Sequence, residues 1–255
     1  MFFDTHAHYD DEAFDGDRAV LLDSMAAGGV GRIVNPGCTV ASSEKAVSMA
    51  HQYDFIYAAV GLHPENCAGA GEAEFAAIET LAAEEKVVAI GEIGLDYYWE
   101  ENPPRAFQRE VLARQMALAE KFDLPVVIHD RDAHGDCMDL VRAFPGVRGE
   151  FHCYSGSLED AKILLDRGWY LGFGGSLTFK NARKAPEVVQ YMPLDRLLLE
   201  TDSPYLSPVP LRGKRNDSRN LVHVAARIAS LRGIRAEEVE TLTWDNANRF
   251  FRIGD

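Results

Sequence analysis

The chain has 255 residues, 47% of them hydrophobic and 26% charged, which suits one large folded domain and excludes a fibrous, low-complexity or wholly disordered protein. Its 26 lysines and arginines stand against 40 aspartates and glutamates, a net charge of −14. That excludes a protein that grips nucleic acid through a broad basic face, so an anionic substrate has to be attracted locally, by a small cationic loop or by metal ions.

Eight short runs rich in Val, Ile, Leu and aromatic residues recur along the chain, separated by longer stretches with helical spacing of apolar residues, as in a parallel βα chain. In order, a strand over residues 2–8 leads to a helix over 17–27, a strand over 32–36 to a helix over 42–52, and a strand over 56–62 to a helix over 73–85. Strands over 87–93, 125–129 and 149–153 lead to helices over 105–121, 133–144 and 158–166. Strands over 169–173 and 196–201 come next, and helices over 220–232 and 236–249 close the chain. Pro103 and Pro104 mark the start of the fourth helix, Ser157 reads as the N-cap of the sixth, and Gly168 ends it.

Runs such as Val87-Val88-Ala89-Ile90 and Pro125-Val126-Val127-Ile128 lack polar alternation, so both faces of the sheet are expected to be covered. Eight βα units predict an α/β fold, a TIM-like (β/α)8 barrel in a single domain over residues 1–255, with an open doubly wound sheet as the competing arrangement. No run approaches the roughly 18 apolar residues of a membrane span, and Asp4, His6 and His8 stand where a signal peptide needs a basic and then an apolar stretch. The expectation is a cytoplasmic protein with no membrane partner. Cys38, Cys67, Cys137 and Cys153 form no C-x-x-C pair and read as reduced thiols packed in the core.

Five of the 8 histidines, His6, His8, His63, His129 and His152, fall at or just past the carboxyl end of an expected strand, and only His51, His134 and His223 fall within helices. In a barrel those strand ends form the rim on which catalytic groups converge. His6 and His8, two apart in an extended segment, leave the same face and can share an ion, although such a pair alone is also met by chance. Glu92, between glycines at the end of an apolar strand, needs a metal ion or a basic side chain as partner. Asp202, in Glu200-Thr201-Asp202-Ser203-Pro204, is a ligand or a turn aspartate.

Jointly, His6, His8, Glu92, His129, His152 and Asp202 come from strands 1, 4, 5, 6 and 8, and independent accidents would not share one rim. They predict a metal site at the carboxyl ends of the strands. Six nitrogen and oxygen donors without cysteine suffice for two divalent ions sharing a bridging carboxylate. They suit zinc, manganese or iron better than calcium, with Mg2+ fitting where substrate and water complete its octahedron. A pair of ions lowers the pKa of a bound water and stabilises charge on attacking and leaving oxygens, which is hydrolytic chemistry.

These motifs resemble, nearly end to end, the TatD family of metal-dependent deoxyribonucleases within the amidohydrolase-like TIM-barrel hydrolases. Asp4-Thr5-His6-Ala7-His8 is similar to D-S/T-H-x-H, Gly61-Leu62-His63-Pro64 to G-x-H-P, and Gly91 through Asp96 to G-E-I/C-G-L-D. His129-Asp130-Arg131-Asp132-Ala133 is similar to H-x-R-x-A, His152-Cys153-Tyr154-Ser155-Gly156 to H-x-F/Y-S-G, and Glu200 through Tyr205 to E-T-D-S/A-P-Y/F. The resemblance implies that His6, His8 and Asp202 hold one ion and His129 and His152 the other. It also implies that Glu92 bridges them and that Asp202 orients the attacking water. It implies two divalent ions (Mg2+, Mn2+ or Zn2+) and phosphodiester hydrolysis, as a 3′ to 5′ exonuclease on single-stranded DNA or RNA linked to DNA repair.

Support from the residues themselves for a phosphate substrate lies in Arg212-Gly213-Lys214-Arg215-Asn216, three cations in four positions after the last strand. A solvated, flexible loop is the competing reading. Arg212 through Asn216 also resembles the R-G-x-x-N end of a family segment, while Asp217-Ser218 stands where many relatives carry an acidic residue and proline, a departure expected to loosen the entry to the next helix. Arg131, two residues after His129, is a candidate phosphate clamp or one half of a salt bridge. His63 reads as a substrate contact or leaving-group acid before a ligand. Gly172 through Ser176 offers either backbone amides to a phosphate or only a tight turn. Tyr97, Tyr98, Trp99, Tyr154 and Tyr205 are candidates for base stacking, Tyr98 and Trp99 foremost because they follow the Glu92 strand, with packing into the barrel top as the competing reading. Two other functions compete: the same metal chemistry on an amide, lactone or aminoacyl ester, and an idle barrel that binds protein.

Overall fold

A computed structural model describes residues 1–254. Its strands are β1 (Phe2–Asp4), β2 (Val30–Pro36), β3 (Ile56–Val60), β4 (Val87–Asp96), β5 (Val126–Arg131), β6 (Gly149–Phe151), β7 (Tyr170–Phe173) and β8 (Leu197–Leu199). The helices are α1 (Arg18–Asp23), α2 (Val40–Gln52), α3 (Glu72–Leu81), α4 (Arg105–Phe122), α5 (His134–Ala143), α6 (Leu158–Asp166), α7 (Lys184–Tyr191), α8 (Leu221–Arg232) and α9 (Ala236–Phe251). The strands follow one another in chain order in an eight-stranded sheet, and the registers are parallel. This is the α/β, TIM-like (β/α)8 barrel order.

The chain divides into two compact units, one of Met1–Asn35 with the chain from His152 onward, the other of Pro36–Phe151. In the first unit β1 runs beside β2, with Asp4 opposite Ile33, and β7 beside β8. The first strand stops at Asp4 rather than at residue 8. Beyond it the backbone is held singly, Thr5 N donating to Leu199 O, Ala7 N to Val34 O and His8 N to Ser203 O. That irregular segment carries both histidines. Helix α7, which the periodicity does not signal, has Pro186 in its first turn, where a missing N–H costs nothing, and buries only Val188 and Val189.

In the second unit β3, β4, β5 and β6 are paired in that order. All ten residues of β4 are buried, as expected of a strand covered on both faces. Two glutamines seven apart on one side of α4 hold the loops above the sheet. The Gln115 side chain accepts Leu62 N at 2.7 Å and donates to Leu62 O at 3.1 Å, beside His63. The Gln108 side chain accepts Asp96 N and donates to Asp96 O, both at 2.9 Å. Each amide satisfies a backbone pair that sheet pairing leaves open, which is why these polar side chains are buried. Helix α2 begins at Thr39, whose hydroxyl accepts Ser42 N at 3.0 Å, and α6 at Ser157 as the sequence indicates.

Gly94 lies opposite His129 in the β4–β5 register, at φ 153°, and a Cβ there would stand 1.9 Å from the His129 carbonyl oxygen. No side chain fits without parting the strands. Gly94→Ala is therefore expected to cost about 3 kcal/mol, a fall in Tm of roughly 6–12 °C at this chain length. Gly135→Ala, with nothing within 4 Å of its Cβ, leaves Tm unchanged or slightly raised. Differential scanning calorimetry of the two variants checks this, and equal melting temperatures would contradict it.

Candidate metal centre

In the first unit the site is organised by Asp4, which is fully buried. Its Oδ1 accepts Thr201 N at 2.9 Å and His6 N at 3.3 Å, and its Oδ2 accepts the Thr201 hydroxyl at 2.6 Å. One carboxyl thus joins the segment after β1 to the segment after β8. Burial pushes it up to about 6, against hydrogen bonds from Ser218 and Thr201 that lower it. Above it His6 Nε2 and His8 Nε2 lie 3.0 Å apart, and Asp202 Oδ1 is 3.8 Å from the first and 3.5 Å from the second.

The His152 ring stacks on His6 with centroids 4.1 Å and planes 11° apart. Ligand atoms of His6, His152 and Asp202 lie within 4.8 Å of one another. Asp202 and Cys153 hold positive φ values of 56° and 44°, a region that non-glycine residues rarely occupy outside sites that need it. Burial pushes the Asp202 carboxyl up, but the His8 hydrogen bond and the charges of His152, His6 and His8 outweigh it and keep it below the ordinary range. Glu200, also fully buried, is pushed up to about 7 by burial, against the His152 charge, and accepts Cys153 N at 2.5 Å. Gly172 lets it sit there, since a Cβ at Gly172 would meet a Glu200 oxygen at 2.5 Å.

In the second unit Glu92 Oε1 is 2.9 Å from His129 Nδ1 and 3.4 Å from His63 Nε2. His129 Nε2 faces Asp96 Oδ2 at 3.0 Å. His63 Nδ1 accepts Glu65 N at 3.2 Å, so in the neutral ring the proton sits on Nε2, turned to Glu92. Burial lowers the His129 pKa, but its hydrogen bonds to Asp96 and Glu92 prevail and raise it to about 10. Asp96 is pushed up by burial and brought below its ordinary value by His129, the Tyr98 amide and the Arg131 charge.

The two clusters contain all six ligands that the sequence singles out, His6, His8, His152 and Asp202 in one, Glu92 and His129 in the other, with His63 beside the second. Other members went unremarked. Asp96 shares the strand face of Glu92, four residues on, and Asp4 that of His6, two residues back; this period-two spacing is the signal that would have found them. Two cysteines depart from a core role. Cys38 Sγ lies 3.9 Å from Glu92 Oε2 and Cys153 N binds Glu200, while Cys67 and Cys137 are buried free thiols.

The cationic segment is divided in its roles. Arg215 forms a fork with Asp17 at 2.7 and 2.6 Å and donates to Ala13 O. Asn216 is fully buried and donates to Thr201 O at 2.9 Å and Tyr205 O at 2.8 Å, so its amide secures the turn that carries Asp202. Among the described residues Arg212 and Lys214 make no ion pair, and neither does Arg131, whose guanidinium lies 3.9 Å over the Tyr98 ring and 5.2 Å from that of Trp99. The entry to α8 is tight: Asp217 accepts Arg219 N, and Ser218 meets the Tyr9 hydroxyl at 2.8 Å. Tyr154 is buried and Tyr97 donates to Asp136, whereas Tyr98, Trp99 and Tyr205 are exposed.

The family model described as TatD related DNase matches residues 3–252. The chain belongs to this family. It is 45% identical over 255 residues to the uncharacterized metal-dependent hydrolase YabD of Bacillus subtilis, covering 99% of this chain and 100% of the relative. It is 34% identical over 260 residues to the 3'-5' ssDNA/RNA exonuclease TatD of Cronobacter sakazakii, covering 98% and 97%. The crystal structure of YjjV, a TatD homologue of Escherichia coli, superposes with a TM-score of 0.93 at 32% identity over 99% of this chain and 98% of that one. Fold and family therefore agree with what the motifs imply.

The His129 proton gives a pH test. Its folded pKa, about 10, lies above the ordinary 6.5, so its contribution to stability is complete below about pH 6.5 and is lost as pH rises towards 10. The metal-free protein should lose Tm across that window, and Asp96→Asn should flatten the loss. A variant whose melting temperature declines as steeply as the parent's contradicts the assignment.

Proposed function

We propose that the chain is a divalent-metal-dependent hydrolase of phosphodiester bonds, a 3′ to 5′ exonuclease on single-stranded DNA that acts in the cytoplasm in DNA repair or degradation. The observation that carries the reading is the triangle of His6 Nε2, His8 Nε2 and Asp202 Oδ1, with sides of 3.0, 3.8 and 3.5 Å. Nitrogen and oxygen donors 2.0–2.2 Å from a tetrahedral ion stand about 3.3–3.6 Å from one another; one side lies in that range and the other two within about 0.3 Å of it, so small adjustments bring this donor set onto a small divalent cation. The naming of a relative of matching length as an exonuclease on single-stranded DNA and RNA supports the substrate class.

In this reading the whole chain acts as a single domain. His6, His8 and Asp202 would hold one ion, His129 and His152 a second, with Glu92 as a ligand common to both, each being Mg2+, Mn2+ or Zn2+. Bound ions of this kind lower the pKa of water and stabilise charge on attacking and leaving oxygens. The chain's own groups do the rest. Asp202, kept ionised by its histidines, orients the attacking water. His63 carries its proton on Nε2 and donates it to the leaving oxygen, because Nδ1 is occupied by the Glu65 amide. Arg131 clamps a phosphate, and the segment from Arg212 through Lys214, Arg215 and Asn216 draws the polyanion towards a protein of net charge −14.

The test is a single-stranded oligonucleotide labelled at its 5′ end, incubated with chelator-stripped protein to which Mg2+, Mn2+ or Zn2+ is returned. A ladder that shortens from the 3′ end, dependent on metal and reduced about a hundredfold or more in Glu92→Gln, is expected. Equal cleavage by the variant, or no cleavage by the parent with any of the ions, would overturn the reading.

A further inference from the structure

Within the first unit, a cleft of about 520 Å³ opens beside Asp202, lined among others by Phe179, Tyr205, Leu206, Arg212 and Lys214. Three features make it more than a surface dent. Its cations are available: the Arg212 guanidinium rests 4.3 Å over the Phe179 ring and Lys214, two residues on, also lines the cleft, and among the described residues neither makes an ion pair. Its wall is fixed: Arg215 is tied to Asp17, Asn216 is buried under the Asp202 turn, and Ser207 donates to Lys214 O at 2.5 Å. The cations are thus carried on a braced loop, at little entropic cost on binding.

The third feature is Tyr205. The residue is 53% exposed although its hydroxyl donates to Asp11 at 2.7 Å and its backbone N to Asp202 O at 2.8 Å. The ring centroid stands 6.4 Å from that of His8. An exposed aromatic face held at both ends, next to the metal ligands, is preorganised for a flat partner.

We propose that this cleft is a nucleotide subsite of the same active site, where one base of a single-stranded polynucleotide stacks on Tyr205 and the adjoining phosphates are taken by Arg212 and Lys214. Arg215 also lines the cleft but is tied to Asp17, and Asn216 is buried beneath it, so both act chiefly as positioning residues for that subsite. The inference rests on the phosphodiester reading above and deepens it. Stacking on a ring discriminates little among bases, because every base offers a π face. The subsite therefore gives affinity for single strands without sequence preference. Duplex DNA, whose bases are already stacked on one another, does not fill it.

The experiment measures equilibrium binding by fluorescence anisotropy, with the full chain, its divalent metal present, and a short oligothymidylate whose phosphorothioate linkages resist hydrolysis. Tyr205→Ala is expected to weaken binding about 5- to 150-fold with the salt dependence unchanged, and Tyr205→Phe to restore it, since the ring and not the hydroxyl meets the base. Arg212→Ala and Lys214→Ala are each expected to weaken binding and to lower the slope of log affinity against log salt by about 0.7. Lys45→Ala, on the exposed face of α2 in the other unit, serves as the control and binds as the parent does. Melting temperatures confirm that each variant is folded.

Parent-like affinity in folded Tyr205→Ala, or parent-like salt slopes in both cation variants, overturns the subsite. Hydrolysis of bis(4-nitrophenyl) phosphate, too small to span the cleft, separates the two levels. If the parent cleaves this diester with metal but binds no oligonucleotide, the subsite falls and the metal chemistry stands. If it binds the oligonucleotide through these residues but cleaves neither this diester nor an unmodified oligothymidylate, the chemistry falls instead.

Discussion

Burying ionisable side chains at the carboxyl ends of a parallel sheet is the constraint on which the rest of this structure depends. Asp4, His6, His63, Glu92, Asp96, His152 and Glu200 are all buried, and a charge removed from water destabilises the fold unless partners replace the lost hydration. Each unit meets this within itself. In one, Asp4 takes two amides and a hydroxyl while Asp202 is surrounded by three imidazoles. In the other, His129 stands between Glu92 and Asp96 and, protonated, donates one ring N–H towards each carboxylate. An arrangement that gathers so many anionic oxygens and imidazole nitrogens serves no packing purpose that aliphatic side chains would not serve better, and it matches the donor chemistry of divalent ions.

A second tier of uncharged polar groups keeps that cluster in place. Gln108 and Gln115 of α4 brace the backbone at Asp96 and Leu62, and Asn216 braces the carbonyls of Thr201 and Tyr205 on either side of Asp202. These amides are buried because each satisfies two backbone groups that leave regular pairing near the site. The left-handed backbone of Asp202 and Cys153 is maintained by the same surroundings. Rigidity at the candidate ligands therefore comes from helices and loops behind them and not from the strands alone, which at β1, β6 and β8 are only three residues long.

Much of this was legible in the sequence, for reasons that can be traced to particular residues. Apolar runs such as 87–90 and 126–128 marked strands covered on both faces, and the candidate ligands stood out because they broke such runs at one end. Asp96 and Asp4 were less visible, since a carboxylate that orients a histidine has the same local sequence as one that caps a turn. Helix α7 was hidden by a proline in its first turn. The cationic loop was legible as charge alone. That Arg215 is spent on Asp17 while Arg212 and Lys214 remain available depends on tertiary neighbours more than thirty residues away, which no local pattern reports.

The central claim is the proposal that these histidines and carboxylates hold divalent ions. Anomalous diffraction from crystals grown with Mn2+ tests it most directly. The account predicts two peaks, one against His6, His8 and Asp202 and one against His129 and His152, with a Glu92 oxygen bonded to each. A single peak, or manganese bound away from these side chains while they keep their mutual hydrogen bonds, would contradict it.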